Sequence, residues 1–211
     1  MDKMTNLFMN GQFASRYDDL IQKQNWYGPE ILFGLIFEYI KSGEKILDIG
    51  IGTGLSASAF HAVGLEVYGL DYSHEMLKIC EQKAIAVDLK MFDINDLPLP
   101  YSNHFFDHIS ANAVIYFIAN LDNLFNEVSR IIKKKGIWAF IVESQNDLYK
   151  GPIVENPPGK NGLITFRHSR KYILDILKDN KFKLLKELEF ISKNFQMEGN
   201  PVSFTLYITE A

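Results

Sequence analysis

The chain has 211 residues, of which 47% are hydrophobic and 23% are charged, and this composition is ordinary for a folded globular domain. Its formal net charge is −4, its sequence pI is near 5.7, and its lysines and arginines are spread thinly. Domains that bind nucleic acid usually concentrate positive charge on one face, so the net negative charge and the dispersed basic residues disfavour a nucleic-acid partner.

Other features of the sequence point to a cytoplasmic protein. A lone cysteine, Cys80, excludes an intrachain disulfide and agrees with a reducing compartment. Residues 1–6 lack the basic start and apolar core of a signal peptide. The most apolar stretch, 31–40, is too short for a bilayer and contains Glu38, so we expect no membrane partner. No His/Cys cluster has metal-ligand spacing, so we expect no metal.

Apolar periodicity predicts strands that alternate with helices along most of the chain. In chain order these are helix 30–40, strand 45–49, helix 55–62, strand 65–70, a helix capped by Ser73, strand 87–92, strand 107–111, helix 121–132, strand 137–142, helix 169–180 and extended segments 182–191 and 202–209. Such alternation implies βαβ units and a mainly parallel sheet. The fold class is therefore α/β, with a doubly wound sheet of seven strands, an antiparallel C-terminal strand and helices on both faces.

Two stretches fall outside this regular pattern. Residues 1–43 are predicted to form an N-terminal helical cap. Residues 144–168 are non-periodic and rich in Gly, Pro and Asn, and a connection this long is more often a functional lid than an idle loop. The segment 202–209 alternates like an exposed edge strand, so we expect it to pair antiparallel with 182–191 at a sheet edge.

A glycine-rich turn, residues 50–54, follows the first strand, where backbone can approach a ligand closely. The dinucleotide pattern G-x-G-x-x-G would need glycine at position 55, and the chain has Leu55. Asp48 stands two residues before the first glycine, and next to a pyrophosphate it would cost about 3–4 kcal/mol for each like-charge pair. A ligand with an ammonium and a sulfonium reverses that sign. Asp48 can also orient the turn through backbone hydrogen bonds, and both roles can hold at once.

Carboxylates end the next two strands as well. Asp71 lies nineteen residues beyond Gly52, where an acidic side chain can accept both hydroxyls of a ribose. Asp93 follows the third strand and can accept from an exocyclic adenine amine, with Ile94 offering its N–H and an apolar contact. Asp96 competes with Asp93 for that role.

With these positions in place, the chain resembles the class I S-adenosylmethionine (SAM)-dependent methyltransferases, of the type 11/12-like kind. The resemblance runs from about residue 44 to 142 and rests on five pieces in order, which are 46–54 (ILDIGIGTG), 69–77 (GLDYSHEML), 93–98 (DINDLP), 105–109 (FFDHI) and 127–136 (EVSRIIKKKG). Ile51 departs from relatives that have cysteine or serine there. Residues 13–30 and 166–182 resemble bacterial methyltransferases akin to those fused to tetratricopeptide repeats, whose substrates are poorly defined.

The resemblance implies a Rossmann-like sheet in residues 44–211, which would form the SAM-binding domain, and S-adenosylhomocysteine (SAH) as product. Asp48 would hold the glycine turn and face the cationic end of SAM, while Asp71 would bind its ribose. The full set of cofactor contacts that we expect is Tyr27, Asp48, Gly50, Gly52, Gly54, Asp71, Tyr72, Met76, Asp93, Ile94, Ala111 and Asn112.

Methyl transfer needs a general base only for some acceptors, such as an oxygen or carbon atom. The candidate bases are Tyr17, Tyr116 and His168. The segment after the fourth strand, 111–114, lacks an Asn-Pro-Pro-Tyr-like tetrad, which disfavours adenine-amine or glutamine methylation. We therefore expect a small-molecule acceptor, with a protein acceptor second, held where residues 1–27 and 144–168 close over the cofactor. A non-catalytic SAM-binding regulator and an NAD-type oxidoreductase are the alternatives, and Leu55 and Asp48 disfavour the latter. We expect a monomer or a homodimer.

Overall fold

Regular secondary structure follows the predicted alternation in a computed structural model that describes residues 7–145, 151–157, 163–193 and 201–211. The helices include α1 (Gly11–Ala14), α2 (Tyr17–Lys23), α3 (Gly28–Ile36), α4 (Leu55–Ala62), α5 (His74–Gln82), α6 (Asp122–Ile131) and α7 (Arg170–Asp179), with 3₁₀ turns at Phe37–Tyr39 and Ile115–Phe117. The strands are β1 (Lys45–Ile49), β2 (Glu66–Asp71), β3 (Asp88–Met91), β4 (Phe106–Ala111), β5 (Ile132–Ser144), β6 (Ile153–Glu155), β7 (Phe166–His168), β8 (Lys183–Ser192) and β9 (Val202–Glu210).

Side-chain caps fix where two of the helices begin. The Ser73 hydroxyl accepts a hydrogen bond from the Met76 N–H at 3.1 Å, which confirms the predicted cap of α5. Ser169 caps α7 in the same way, accepting from the Tyr172 N–H at 3.2 Å. None of the described helices combines the length with the apolar character that crossing a bilayer would require.

The sheet has the order β3-β2-β1-β4-β5, and these five strands are parallel. Strand β9 pairs antiparallel with β5, and β8 pairs antiparallel with β9 at the outer side. The predicted parallel, doubly wound sheet with an antiparallel strand near the C-terminus is therefore present. Strand β9 is flanked on both sides, so our expectation that 202–209 forms an exposed edge strand was wrong, and β8 occupies the edge.

Within the described residues the sheet has nine strands rather than the seven expected, and its antiparallel pairs are not confined to the C-terminal strand. The additional strands, β6 and β7, pair antiparallel with each other. Strand β7 also runs parallel to the last two residues of β5, Glu143 and Ser144. Both short strands lie in the segment 144–168 that the sequence marked as a non-periodic lid.

Alternate residues of β5 face opposite sides of the sheet, because side chains alternate along a strand. Trp138 and Phe140 pack in a buried cluster with apolar residues of α6 and α7, whereas Ile137 and Ile141 pack with residues of α3, α4 and α5. Helices therefore cover both faces, as expected, and residues 136–142 of this strand are apolar and buried because neither face meets water there.

The strand order changes direction between β1 and β4. Strand β1 lies between β2 and β4, so the connections leave its carboxyl end toward opposite sides. In open α/β sheets ligands bind at such a switch point, outside the carboxyl ends of the strands. The glycine turn after β1 lies there.

Candidate active site

A cavity of about 300 Å³ opens at the carboxyl ends of β1, β2, β3 and β4. That volume lies at the lower end of the range for small-molecule sites. The predicted site residues that line it are Tyr17, Gly50, Gly52, Asp71, Tyr72, Met76, Asp93, Ile94, Asn112 and Tyr116. The predicted residues that do not are Tyr27, Asp48, Gly54, Ala111 and His168.

The three glycines of the turn have left-handed backbone, with φ of +72° at Gly50, +53° at Gly52 and +85° at Gly54. A Cβ at Gly50 would lie 2.7 Å from Val114, and one at Gly54 would lie 2.6 Å from Ile85. A Cβ at Gly52 would meet nothing closer than 4.0 Å. Gly50 and Gly54 therefore allow close packing, whereas Gly52 leaves open space at the cavity.

Asp71 holds the glycine turn from the end of β2. Its Oδ2 accepts the Gly52 N–H at 2.8 Å and its Oδ1 accepts the Ser73 N–H at 2.8 Å. Burial raises the pKa of Asp71, and the hydrogen bonds from the Ser73 and Gly52 backbones oppose that rise. Each carboxylate oxygen has a second acceptor position, so the ribose role expected for Asp71 is compatible with these bonds.

Asp48 has a different position from the one that we expected. It is 2% exposed, does not line the cavity, and its Oδ1 accepts the Ser110 hydroxyl at 2.8 Å. Burial raises the pKa of Asp48 to about 7; the Ser110 bond lowers it and the nearby Asp71 raises it further. The carboxylate that accepts a hydrogen bond from the turn is Asp71 instead, and direct cofactor contact by Asp48 stays a prediction.

We expect Asp48→Asn to raise the thermal stability at pH 8 and to have little effect near pH 4. The ordinary pKa is 3.8 and the folded value is about 7, so the folded state holds the proton more tightly. The free energy of unfolding therefore falls as pH rises through this window, and asparagine removes that fall while keeping an oxygen for Ser110. Calorimetric melting at both pH values measures it.

Asp107→Asn is the matched control, because its pKa is lowered. Burial alone would raise that pKa, but hydrogen bonds from the Lys133 ammonium and the Lys45 N–H outweigh it. This variant should lose stability at pH 8 and lose less at acid pH. Equal shifts in melting temperature at both pH values for Asp48→Asn would contradict the assignment.

The loop after β3 forms the other end of the cavity. Asp93 and Ile94 line it and Asp96 does not, so the structure favours Asp93 of the two candidate carboxylates. Oδ1 of Asp93 accepts both the backbone and side-chain N–H groups of Asn95, at 2.9 and 2.8 Å. These bonds fix the carboxylate and leave its Oδ2 for a ligand amine.

The N-terminal segment covers the cavity and is tied to the glycine turn. Phe8 and Tyr17 line the cavity from this segment. Asp18 accepts the Thr53 hydroxyl at 2.5 Å and the Lys83 ammonium at 2.6 Å. Because Thr53 lies within the turn, one carboxylate joins α2 to the turn and to the end of α5.

Two of the three candidate bases lie at the cavity. Burial, followed by the charges of Asp71 and Asp18, raises the pKa of Tyr17. Burial also raises the pKa of Tyr116 well above its ordinary value. A phenol with a raised pKa stays protonated at neutral pH, so these environments favour hydrogen-bond donation over a general-base role.

The third candidate, His168, lies away from the cavity. Its Nε2 contacts the Ala119 carbonyl oxygen at 3.0 Å, and its ring stacks on Tyr172 at 5.8 Å. Burial lowers the pKa of His168. These contacts are those of a packing residue at the end of β7, so the structure does not bring His168 to the predicted catalytic site.

Tyr27 and Ala111 are also outside the cavity lining. Tyr27 is 57% exposed and its hydroxyl contacts the Asn25 side chain at 3.3 Å, whereas Ala111 is fully buried. Phe8 lines the cavity from the segment 1–27 that we expected to close over it, and the lining residues that we did not predict are Ser73, Phe92, Asn95, Ala113, Val114, Phe117 and Ile118. Those from 113 to 118 directly follow Asn112, so chain adjacency could have found them.

The described part of the late segment does not line the cavity, and its role as a lid stays a prediction. Residues 151–157 and 163–168 contribute β6 and β7, and they are absent from the described lining of the cavity. Glu143 anchors them: its Oε1 accepts the Asn156 amide and the Arg167 guanidinium, each at 2.9 Å. Residues 146–150 and 158–162 of the proposed lid lie outside the described residues.

Comparisons with known sequences agree with this site. Residues 47–140 match the family described as a methyltransferase domain. The chain is 30% identical over 189 residues to an uncharacterized protein of Methanocaldococcus jannaschii, covering 86% of this chain and 84% of that protein. It is 33% identical over 116 residues to a demethylmenaquinone methyltransferase of Geobacillus stearothermophilus, covering 52% of this chain and 50% of that enzyme. It therefore spans about half the length of that relative.

Solved structures share the fold at low sequence identity. A chain from the complex of the Haloferax volcanii Trm112 methyltransferase activator with a methyltransferase has a TM-score of 0.74 and 16% identity, covering 95% of this chain and 96% of that one. A Burkholderia thailandensis 1,6-didemethyltoxoflavin-N1-methyltransferase, bound to 1,6-didemethyltoxoflavin and SAH, has a TM-score of 0.70 and 12% identity. The match covers 100% of this chain and 90% of that one. The family match across the glycine turn and β2 to β5 therefore identifies residues 47–140 as a methyltransferase domain, whose fold these structures share, and the cofactor of that family is SAM.

Proposed function

We propose that this protein transfers a methyl group from SAM to a small-molecule acceptor. The observation that carries the proposal is the single cavity in which the open face of Gly52, the Asp71 carboxylate and the aromatic side chains of the N-terminal segment meet. A cofactor and a small acceptor would share this space at the switch point of the sheet.

The residues at the cavity fit the parts of SAM. Asp71 would accept the ribose hydroxyls, and Asp93 with Ile94 would hold the adenine. The exposed Tyr72 and the buried Met76 would cover the adenine, and Gly50, Gly52 and Asn112 would lie along the methionine part. When bound, SAM supplies a methyl group activated by its sulfonium.

The contribution of the chain is alignment and exclusion of water. Holding two reactants about 3–3.5 Å apart in the right orientation can supply roughly 7–11 kcal/mol toward the barrier. The cap, held by Asp18, closes the cavity from the N-terminal side, and Tyr17 and Tyr116 would orient the acceptor as protonated phenols. An acceptor that is an already neutral amine, a thiol or a carboxylate does not require a base, so this arrangement is sufficient for such groups.

Names of similar proteins support a small-molecule acceptor without deciding it. The Geobacillus relative is named for demethylmenaquinone, and the Burkholderia structure contains 1,6-didemethyltoxoflavin. The Haloferax complex contains a methyltransferase activator, and its acceptor is not part of that name, so a protein acceptor stays the second proposal. A non-catalytic SAM-binding regulator is the third.

A thermal-shift screen with SAM, SAH and NAD tests the cofactor assignment. At a hundredfold excess over the Kd, a ligand adds about 2.7 kcal/mol of stability, or about 5–11 °C for a domain of this size. We expect SAM and SAH to give such a shift and NAD to give none. A shift with NAD alone would overturn the proposal.

Methyl-labelled SAM, incubated with separate pools of small-molecule and protein acceptors, then tests the reaction. We expect label in an extractable small molecule together with SAH formation. Label in protein would favour the second proposal. SAM binding without any labelled product in either pool would favour a regulator.

Three finer assignments are proposals as well. They are the narrower likeness to bacterial methyltransferases akin to those fused to tetratricopeptide repeats, a cytoplasmic location, and a monomer or homodimer that binds neither nucleic acid nor membrane. They rest on the sequence features described above.

A further inference from the structure

Five aromatic side chains form an arc at one side of the cavity. Phe8, Phe13 and Tyr17 come from the N-terminal segment, and Tyr116 and Phe117 come from the 3₁₀ turn after β4. Ring centroids lie 5.8 Å apart for Phe13 and Tyr17, 5.6 Å for Phe8 and Phe13, 6.1 Å for Phe8 and Phe117, and 4.7 Å for Tyr116 and Phe117. All except Phe13 line the cavity.

The arc adjoins the ribose side of the cavity at Tyr17, which lies near Asp71, and extends from there to the 3₁₀ turn after β4. Asp93, Ile94 and Asp71 belong to the ends of β2 and β3, whereas Tyr116 and Phe117 follow β4. Phe8 is fixed between the two ends, because its carbonyl oxygen accepts the Ser73 hydroxyl at 2.5 Å while its ring contacts Phe117. Tyr116 and Phe117 therefore lie across β2 and β1 from the residues that suit the adenine.

Tyr17 supplies a polar group on this aromatic surface. Its hydroxyl makes no hydrogen bond to any residue within the part of the chain that the structure describes, although the side chain packs against Phe13. Burial and the neighbouring Asp71 and Asp18 raise the pKa of Tyr17, so the phenol keeps its proton. A shielded hydroxyl of this kind favours a ligand atom that accepts a hydrogen bond.

Charge at the cavity sets a further condition on the second molecule. The ionisable acids that line the described part of the cavity are Asp71 and Asp93, and both repel an anion when ionised. Aromatic side chains bind planar aromatic guests through offset stacking and edge contacts. A neutral aromatic molecule satisfies both conditions.

We propose that the molecule that receives the methyl group is neutral, planar and aromatic, and that it packs against Phe8, Tyr116 and Phe117 of the arc. One of its atoms accepts a hydrogen bond from the Tyr17 hydroxyl. This inference rests on the proposed function, because it assigns the second subsite of the same cavity. Tyr17 is then a residue that determines specificity.

Quinoline and naphthalene are a matched pair of probes, because they share size and shape and only quinoline has a ring nitrogen that accepts a hydrogen bond. Ligand-observed NMR would measure their dissociation constants with the protein saturated by SAH at pH 8. A hydrogen bond of ordinary net strength makes quinoline about three- to tenfold tighter. Tyr17→Phe, measured at its own saturating SAH concentration, should abolish that preference.

Two further measurements complete the test. Phe117→Ala should weaken both probes to a similar degree, and quinoline-2-carboxylate should bind at least about tenfold more weakly than quinoline, as its charge is repelled. An unchanged quinoline preference in Tyr17→Phe, or tighter binding of the carboxylate, would overturn this inference. Failure of SAH itself to bind would instead overturn the proposed function, so the two failures are distinguishable.

Discussion

A Gly52→Val variant should fold and should lose SAM affinity by about a hundredfold or more, the equivalent of roughly 2.8 kcal/mol. Gly52 has φ of +53°, which β-branched residues rarely adopt, and a side chain there would enter the space that now has no atom closer than 4.0 Å. The larger part of the loss should come from that occupied space. Titration calorimetry with SAM and with SAH measures it.

Gly43→Val separates backbone strain from blockage. Gly43 also has positive φ, +85°, and a Cβ there would meet nothing within 4 Å, but it lies in the turn before β1. This variant should lose stability through the same kind of strain and should bind SAM as the parent does. If Gly52→Val melts like Gly43→Val and still binds SAM with native affinity, the turn does not hold the cofactor.

Local sequence patterns were sufficient to predict several of the strand-end residues that line the cavity. Strands β1 and β2 are both mainly apolar segments that are followed by a turn. In a parallel sheet the side chains at the carboxyl ends of neighbouring strands lie at the same edge. That logic places Asp71 beside Gly52, and the structure joins them by a hydrogen bond of 2.8 Å. The same logic cannot tell which carboxylate reaches the turn, since Asp48 is much closer to the turn in sequence than Asp71 but does not bind it.

Strand β9 shows why the sheet edge could not be read from alternation alone. The polar positions of 202–209 look like solvent-facing ones, but Thr205 and Thr209 are buried. The Thr209 hydroxyl donates to the Trp138 carbonyl at 3.0 Å, and the Thr205 hydroxyl pairs with Ser144 at 2.6 Å. Threonine satisfies its hydroxyl inside the protein as well as in water, so the same alternation fits an interior strand.

The cap was predictable as a helical segment but its contacts were not. Asp18 binds Thr53 and Lys83, which lie 35 and 65 residues away along the chain. Nothing local in the sequence marks such partners, because they are set by how α2 packs on the finished domain. The short strands β6 and β7 escaped prediction for a related reason, since three residues are too few to show a period.

Asp71→Ala should weaken SAM binding by about a hundredfold or more, because it removes the acceptor of two ribose hydroxyls. Hydrogen bonds to a charged group are each worth about 1.5–3 kcal/mol, so losing two exceeds the roughly 2.8 kcal/mol of a hundredfold change. The structure adds a cost to stability, since the Gly52 and Ser73 N–H groups also lose their acceptor. We therefore expect a lower melting temperature together with the lost affinity.

Two companion variants separate these effects. Asp71→Asn keeps one oxygen that can accept a backbone N–H, so it should recover part of the stability and still bind SAM poorly, as its amide nitrogen cannot accept a ribose hydroxyl. Asp88→Ala removes a carboxylate from the neighbouring strand β3, where Asp88 pairs with Lys90 at 3.2 Å outside the cavity lining, and should leave SAM affinity unchanged. Calorimetric titration of folded protein compares all three. An Asp71→Ala protein that binds SAM within twofold or so of the parent would place the ribose elsewhere, because no rearrangement of the turn could replace both of its charged hydrogen bonds.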